Sequence, residues 1–361
     1  MNDQQLIDLL THDSVRYRSA ALELLASSYC NAPAMLGAIL EGWDRFGIGE
    51  AYPEFAQVAH LPVHHQYMHS ILERSFQMVE GRKLVDPICR CAGKIVEAMV
   101  LLPAEQLGEF LPDIERLKST SKIFFRIELN DLRRRIALTE LSDDELREQL
   151  EPVWNGNGNG DVQIQADAIH ALEILHGRGV ADEEIRRCLS PSEKWEQDSG
   201  QRLSIALQVA SRHAFLGFED MLAGHIQHVQ ATVAATACIA LARCRSRDAV
   251  FAIVERFAQE NPTTQLRMAD VLGRLRVPGA SLRIQEMREA CKDPKICDAL
   301  NLAQILHFDF GQIDNWMESL FVVSDPVLKR YRHLIELALP LAEFQADGVR
   351  RHVQEALRIR S

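Results

Sequence analysis

The sequence predicts an all-α fold: a right-handed solenoid of stacked antiparallel helix pairs. Three observations lead there. The 361 residues are 47% hydrophobic but only 6% aromatic, and Ala and Leu dominate the apolar set. Both are strong helix formers that let helices pack closely. Long runs of Val, Ile, Thr and Tyr, which a sheet needs, are scarce. Finally, an apolar pair recurs in the second half at steps of 35, 34 and 31 residues: Ala171-Leu172, Ala206-Leu207, Ala240-Leu241 and Val271-Leu272. A period of that size marks a stack of helical units.

Each recurrence sits in a segment whose apolar positions fall at i, i+3, i+4 and i+7, one stripe of a helix. A fifth such helix is expected over 298–306. Second helices are expected between them over 182–189, 217–226, 248–260 and 279–290. One pair cannot bury both its faces, so stacking four or five pairs builds a continuous core. Asp161 and Asp248 suit helix N-caps, Ser142 with Glu145 forms a capping box, and Pro278-Gly279 and Asp293-Pro294 break helices.

The first half follows the same habit more loosely. A helix is expected from Asp13 to about Tyr29, another from Asp86-Pro87 to near Leu101, and another from Ser121 to about Leu138. The stretch from Gly42 to Pro62, with three glycines and two prolines, reads as a long connection holding one short helix near Pro53. Alternating Asn and Gly over 155–160 cannot hold a helix. The expected organisation is therefore an N-terminal helical half over 1–154, a loop or hinge over 155–160, and C-terminal repeats over 161–361.

Two helix starts carry a resemblance. Asp13, Val15 and Arg16 followed by Ala20, Ala21, Leu22 and Leu24 resemble the opening of a HEAT-type repeat. Asp161, Val162, Ala168, Ala171 and Leu172 resemble it less closely. The chain looks like a divergent, bacterial-type HEAT-like (armadillo-like) protein over most of 161–310. Later repeats keep the Ala-Leu helix and lose the Asp-Val-Arg opening. The resemblance implies an architecture shared by scaffolds, adaptors, regulatory subunits and a few enzymes, and so implies no single activity.

The net charge is −11. An acidic chain repels phosphate backbones, so nucleic-acid binding would need a concentrated basic face. The longest apolar stretch, near 98–102, is too short to span a bilayer. No signal-peptide pattern opens the chain, and a cytoplasmic location without membrane association is expected. Eight cysteines are scattered along the chain, most of them in apolar helical contexts, as buried thiols would be.

The sharpest local feature is a repeated cluster. Ala240-Leu241-Ala242-Arg243 is followed by Arg245 and Arg247. Thirty-one residues on, Val271-Leu272-Gly273-Arg274 is followed by Arg276. Stacked repeats would align Arg243, Arg245, Arg247, Arg274 and Arg276, with Arg267 nearby, as a basic row. Guanidinium groups pair with carboxylates or phosphates. Positive residues at helix C-termini equally complement the dipole, and both readings stand at this level.

Two weaker candidates follow. His60, His64, His65 and His69 cluster, and His65 and His69 are four apart on one helix turn. With Cys89 and Cys91 from a neighbouring helix they are metal-ligand candidates, but the spacing matches no standard zinc motif. Arg133, Arg134 and Arg135 end a helix, as a C-terminal turn favours. No hydrolase, zincin, P-loop or dinucleotide signature is present, and no cofactor is expected. The functional expectation is a non-catalytic protein-binding scaffold or adaptor for an acidic partner segment. The alternatives are a nucleic-acid-binding HEAT-like protein, with Trp154, Trp195 or Trp316 stacking on bases, and a metal-dependent enzyme.

Overall fold

A computed structural model describes residues 2–56, 58, 61–79, 102–121, 129–155, 161–190, 199–307 and 313–327. Every described element is helical, and no strand occurs among these residues. No described helix is long and apolar enough to cross a membrane. By contacts the chain divides into two units. One joins residues 1–29 to 214–361, and the other holds residues 30–213.

The helices run α1 (Asp3–Asp8), α2 (Val15–Ser27), α3 (Pro33–Ala56), α4 (Met68–Val79), α5 (Ala104–Leu107), α6 (Leu111–Ser121), α7 (Leu129–Leu138), α8 (Asp143–Trp154) and α9 (Val162–Gly177). Then follow α10 (Asp182–Leu189), α11 (Ser199–Ala210), α12 (Glu219–Gly224), α13 (Ala231–Cys244), α14 (Arg247–Phe257), α15 (Pro262–Arg274), α16 (Ala280–Ala290), α17 (Pro294–Leu306) and α18 (Ile313–Val322).

In the unit of residues 30–213, α9 packs against α7, α8 and α11, and α10 packs against α11. In the other unit α13 packs on α15 and α15 on α17, while α12 packs on α14 and α14 on α16. Alternate helices thus meet their own kind. The recurring apolar pairs are the core of this packing. Ala171, Leu172, Ala206, Leu207, Ala240, Leu241, Val271 and Leu272 are all 1% exposed or less. Burying each Leu contributes about 1.5–3 kcal/mol.

Local sequence sets the helix ends. Asp161 caps α9, accepting from the amides of Gln163 at 2.9 Å and Ile164 at 3.2 Å. Ser142 and Glu145 form the expected capping box of α8. Asp293 caps α17 with Pro294 in its first turn.

Two expectations are corrected. Asp248 is not a cap: Ser246 accepts from the amide of Ala249 at 3.1 Å and caps α14, leaving Asp248 in the first turn. The stretch from Gly42 is not an open connection. Helix runs on both sides of Gly47, which alone breaks it at φ 73°, a conformation open to glycine. Trp43 and Phe55 lie on either side of that break and pack their rings 4.7 Å apart. Buried aromatic area outweighs the weak helix propensity of the glycines. Residues 156–160, the helix expected from Asp86, His60, Cys89, Cys91 and Trp195 lie outside the described residues.

Candidate functional site

The arginine candidates sit at and just beyond the ends of α13 and α15. Arg243 occupies the last turn of α13 and Arg274 the last turn of α15. The helix dipole favours a cation at both places. Arg245 is the residue that stops α13, and it does so in the left-handed region at φ 48°. Glycine normally fills such a stop, and another L-residue there costs about 1–2 kcal/mol. Arg247 is exposed in the first turn of α14, where the dipole disfavours positive charge. Arg276 is half-buried just past the end of α15.

Residues 1–29 meet this row. Arg245 donates through Nη1 to the backbone carbonyl of Ser28 at 2.8 Å. Its Nη2 pairs with the carboxylate of Asp3 in the first turn of α1. The next residue, Tyr29, lies under Arg243, whose guanidinium carbon is 4.9 Å from the ring centroid. Arg243 Nε has no hydrogen-bond partner among the described residues. Its burial pulls the guanidinium below its ordinary value, and the Tyr29 hydroxyl offsets this in part. Arg274 holds Asp270 at 3.1 Å. Burial acts to lower Arg274, but Asp270 and the Tyr29 hydroxyl raise it above its ordinary value.

Tyr29 and Arg245 are the two non-glycine residues with positive φ among the described residues, at 51° and 48°. Both belong to this contact. Such outliers persist only where surrounding structure over-determines them, and they cluster at functional places. Ser246 donates to the buried Glu219 at 2.8 Å, and Glu219 accepts from the amide of Gly217 at 2.7 Å. Arg267 stands apart and donates to the carbonyl of Ile226 at 2.9 Å.

The histidine candidates come together in the other unit. Nε2 of His65 is 2.8 Å from Glu109 Oε1 and that of His69 is 3.8 Å away. Both rings stand edge-on to Phe110. No group of three potential metal ligands occurs among the described residues. His64 is pulled below its ordinary value by burial, offset in part by a hydrogen bond with the Asn31 backbone. Trp154 is buried beneath the guanidinium of Arg187 at 4.3 Å. The side chain of Trp316 lies outside the described residues.

A second charged cluster has no counterpart among the sequence candidates. Glu173, buried on α9, is surrounded by Arg212 at 3.0 Å, His170 at 3.1 Å, Arg135 at 3.3 Å and His213 at 3.5 Å. Burial alone would raise its carboxyl. The hydrogen bond with His170, the nearby ring of His213 and the charges of Arg135 and Arg212 hold it well below the usual range. Arg133 and Arg134, the rest of the basic helix end, pair with Glu115 and Asp167. The whole run is therefore spent on internal ion pairs.

No protein-family model and no curated protein matches the chain. Among solved structures it is similar to an engineered protein known from its crystal structure. The identity is 14%, covering 99% of this chain and 98% of that one, with a TM-score of 0.30. A likeness of that size carries no argument about fold or function.

Proposed function

We propose that the chain is a HEAT-like solenoid acting as a non-catalytic protein-binding scaffold or adaptor. It holds an acidic partner segment on the row of Arg243, Arg245, Arg247, Arg274 and Arg276. The supporting observation is the placement of Arg247. Helix capping accounts for Arg243 and Arg274, but an exposed arginine in a first turn works against its own helix. Its presence beside the other four makes sense as part of a charged surface. Guanidinium groups suit carboxylates because they donate in paired, planar fashion. Steering by such a row in a chain of net charge −11 is local and falls with salt.

The test is affinity capture with the wild-type chain and with the pair Arg247→Glu and Arg274→Glu, followed by mass spectrometry. The expected result is a partner with an acidic segment that the wild type retains. The double variant should lose it while keeping its melting temperature within a few degrees. Equal recovery by both proteins sinks the reading.

A further inference from the structure

The arginine row is not bare: residues 1–29 already sit on it with the chemistry expected of a partner. We infer that this N-terminal hairpin is a displaceable resident ligand of the row. The external partner then presents the same two groups, a carboxylate in the first turn of a helix and an aromatic ring. This rests on the reading of the row as a partner surface and adds how that surface is occupied and regulated.

Three observations carry it. First, the identified ties between hairpin and row are polar: Asp3 and the Ser28 carbonyl on Arg245, and the Tyr29 ring under Arg243. Within the hairpin, by contrast, α1 and α2 pack on one another, and Arg18 bonds the carbonyls of His12 at 2.9 Å and Asp13 at 3.2 Å. The hairpin has internal structure to keep when those ties break. Second, Asp3 and Arg245 are only 29% and 16% exposed. Partial burial makes the pair stronger than a surface one, yet leaves it within reach of a competitor. Third, Tyr29 and Arg245, the two non-glycine residues with positive φ among the described residues, each take part in a tie between hairpin and row, and such conformations persist only where surrounding structure over-determines them.

The mechanism is exchange of like for like. In the closed state Asp3 neutralises Arg245, and Tyr29 covers Arg243 and reaches Arg274. A partner helix bearing a carboxylate and a ring replaces both, and apparent affinity is reduced by the fraction of chains that are closed. Arg247, exposed in the first turn of α14, is the first point a partner meets.

The experiment uses the full chain and a fluorescent peptide of residues 1–29 supplied in trans. Asp3→Arg opens the latch by repulsion. Asp3→Arg with Arg245→Asp closes it again with the pair reversed, and Asp tolerates the left-handed position. The peptide is expected to bind the Asp3→Arg chain at least tenfold more tightly than the wild type. It should not bind the re-closed double variant. Peptides carrying Asp3→Ala or Tyr29→Ala should bind at least tenfold more weakly. Hydrogen exchange should rise at least tenfold over 3–27 in Asp3→Arg, with 231–274 unchanged. Asp3→Asn gives the same order at smaller size.

Unchanged protection over 3–27 overturns the proposal. So does joint loss of protection over 3–27 and 231–274, which makes the hairpin an inseparable part of the unit. Absence of peptide binding to the opened chain overturns it too. No cellular partner enters these measurements. Failed affinity capture alongside successful peptide exchange would sink the scaffold reading and leave the latch standing.

Discussion

Glu173 is a buried carboxylate whose four neighbours are all cationic or able to become so. Removing its charge leaves Arg135, 3% exposed, without its counter-ion. Glu173→Gln is therefore expected to cost about 3–5 kcal/mol of stability, measured by urea unfolding at pH 7. The pH dependence follows from the direction of the shift. The folded carboxyl titrates below its ordinary value of 4.5. Its contribution is complete above the unfolded value and is lost as pH falls through the folded one. The gap between wild type and Glu173→Gln should stay open above pH 4.5 and narrow below it. A gap that closed between pH 6 and pH 5 would contradict the low carboxyl value. Little of this cluster was legible in sequence. Glu173 stands inside the apolar stripe of Ala168, Ala171, Leu172 and Leu175, so periodicity alone passes over it. Arg135 and Arg212 reach it from 38 and 39 residues away. His170, three residues before Glu173 on the same helix, is the one local clue.

At the scale of helices, the small residues of the repeated motif have a steric cause. A Cβ on Gly273 would lie 3.2 Å from the Cα of Ala303 and 3.5 Å from Leu306 Cδ1. So α15 and α17 touch nearly backbone to backbone at this point. Gly273→Val is expected to cost about 1–3 kcal/mol by forcing the two helices apart. Calorimetry checks it, and a melting temperature unchanged or raised would show that α17 can yield. The apolar pairs were legible because they recur at similar steps of 35, 34 and 31 residues, with the small-Arg continuation shared by 240–243 and 271–274. The capping of α8 and α9 was legible because capping chemistry is local. The capping of α14 was misread because Ser246 and Asp248 are both good caps two residues apart. The left-handed stop at Arg245 ends α13 one residue before Ser246, which accepts from the amide of Ala249 and is the cap. The helices around Gly47 were hidden for a similar reason, since glycine content there outweighed the apolar pattern that packing rewards.

For the molecule as a whole, composition was enough to anticipate that the described elements are helical, and the recurring apolar pairs were legible as buried positions. What sequence order could not indicate is that residues 1–29 belong with 214–361. A reading along the chain divides it into consecutive pieces. The contact division falls at 29/30 and 213/214, and the bonds of Asp3 and Ser28 to Arg245 lie within the unit that this division joins. Nothing in either segment advertises the other beyond opposite charge, and charge at such separation is common to many pairs of positions. The arginines were legible as a basic cluster; the bonds from Asp3, Ser28 and Tyr29 to Arg245 and Arg243 were not.

That discontinuity has a temporal side. The hairpin leaves the ribosome well before its docking site exists, because residues 30–213 must be made first. At about 5–20 residues per second this is a wait of roughly 10–40 seconds. During it, α1 and α2 have each other but not Arg245. The loop to be closed is long, and closing it is slow relative to forming neighbouring helix pairs. In refolding followed by pulsed hydrogen exchange, amides of 3–27 should gain protection after those of 231–305. Simultaneous protection would mean the docking site recruits the hairpin as it forms. A nascent chain in this interval carries an undocked hairpin and no arginines of its own to receive it, so a finished neighbouring copy on the same messenger could supply the missing half.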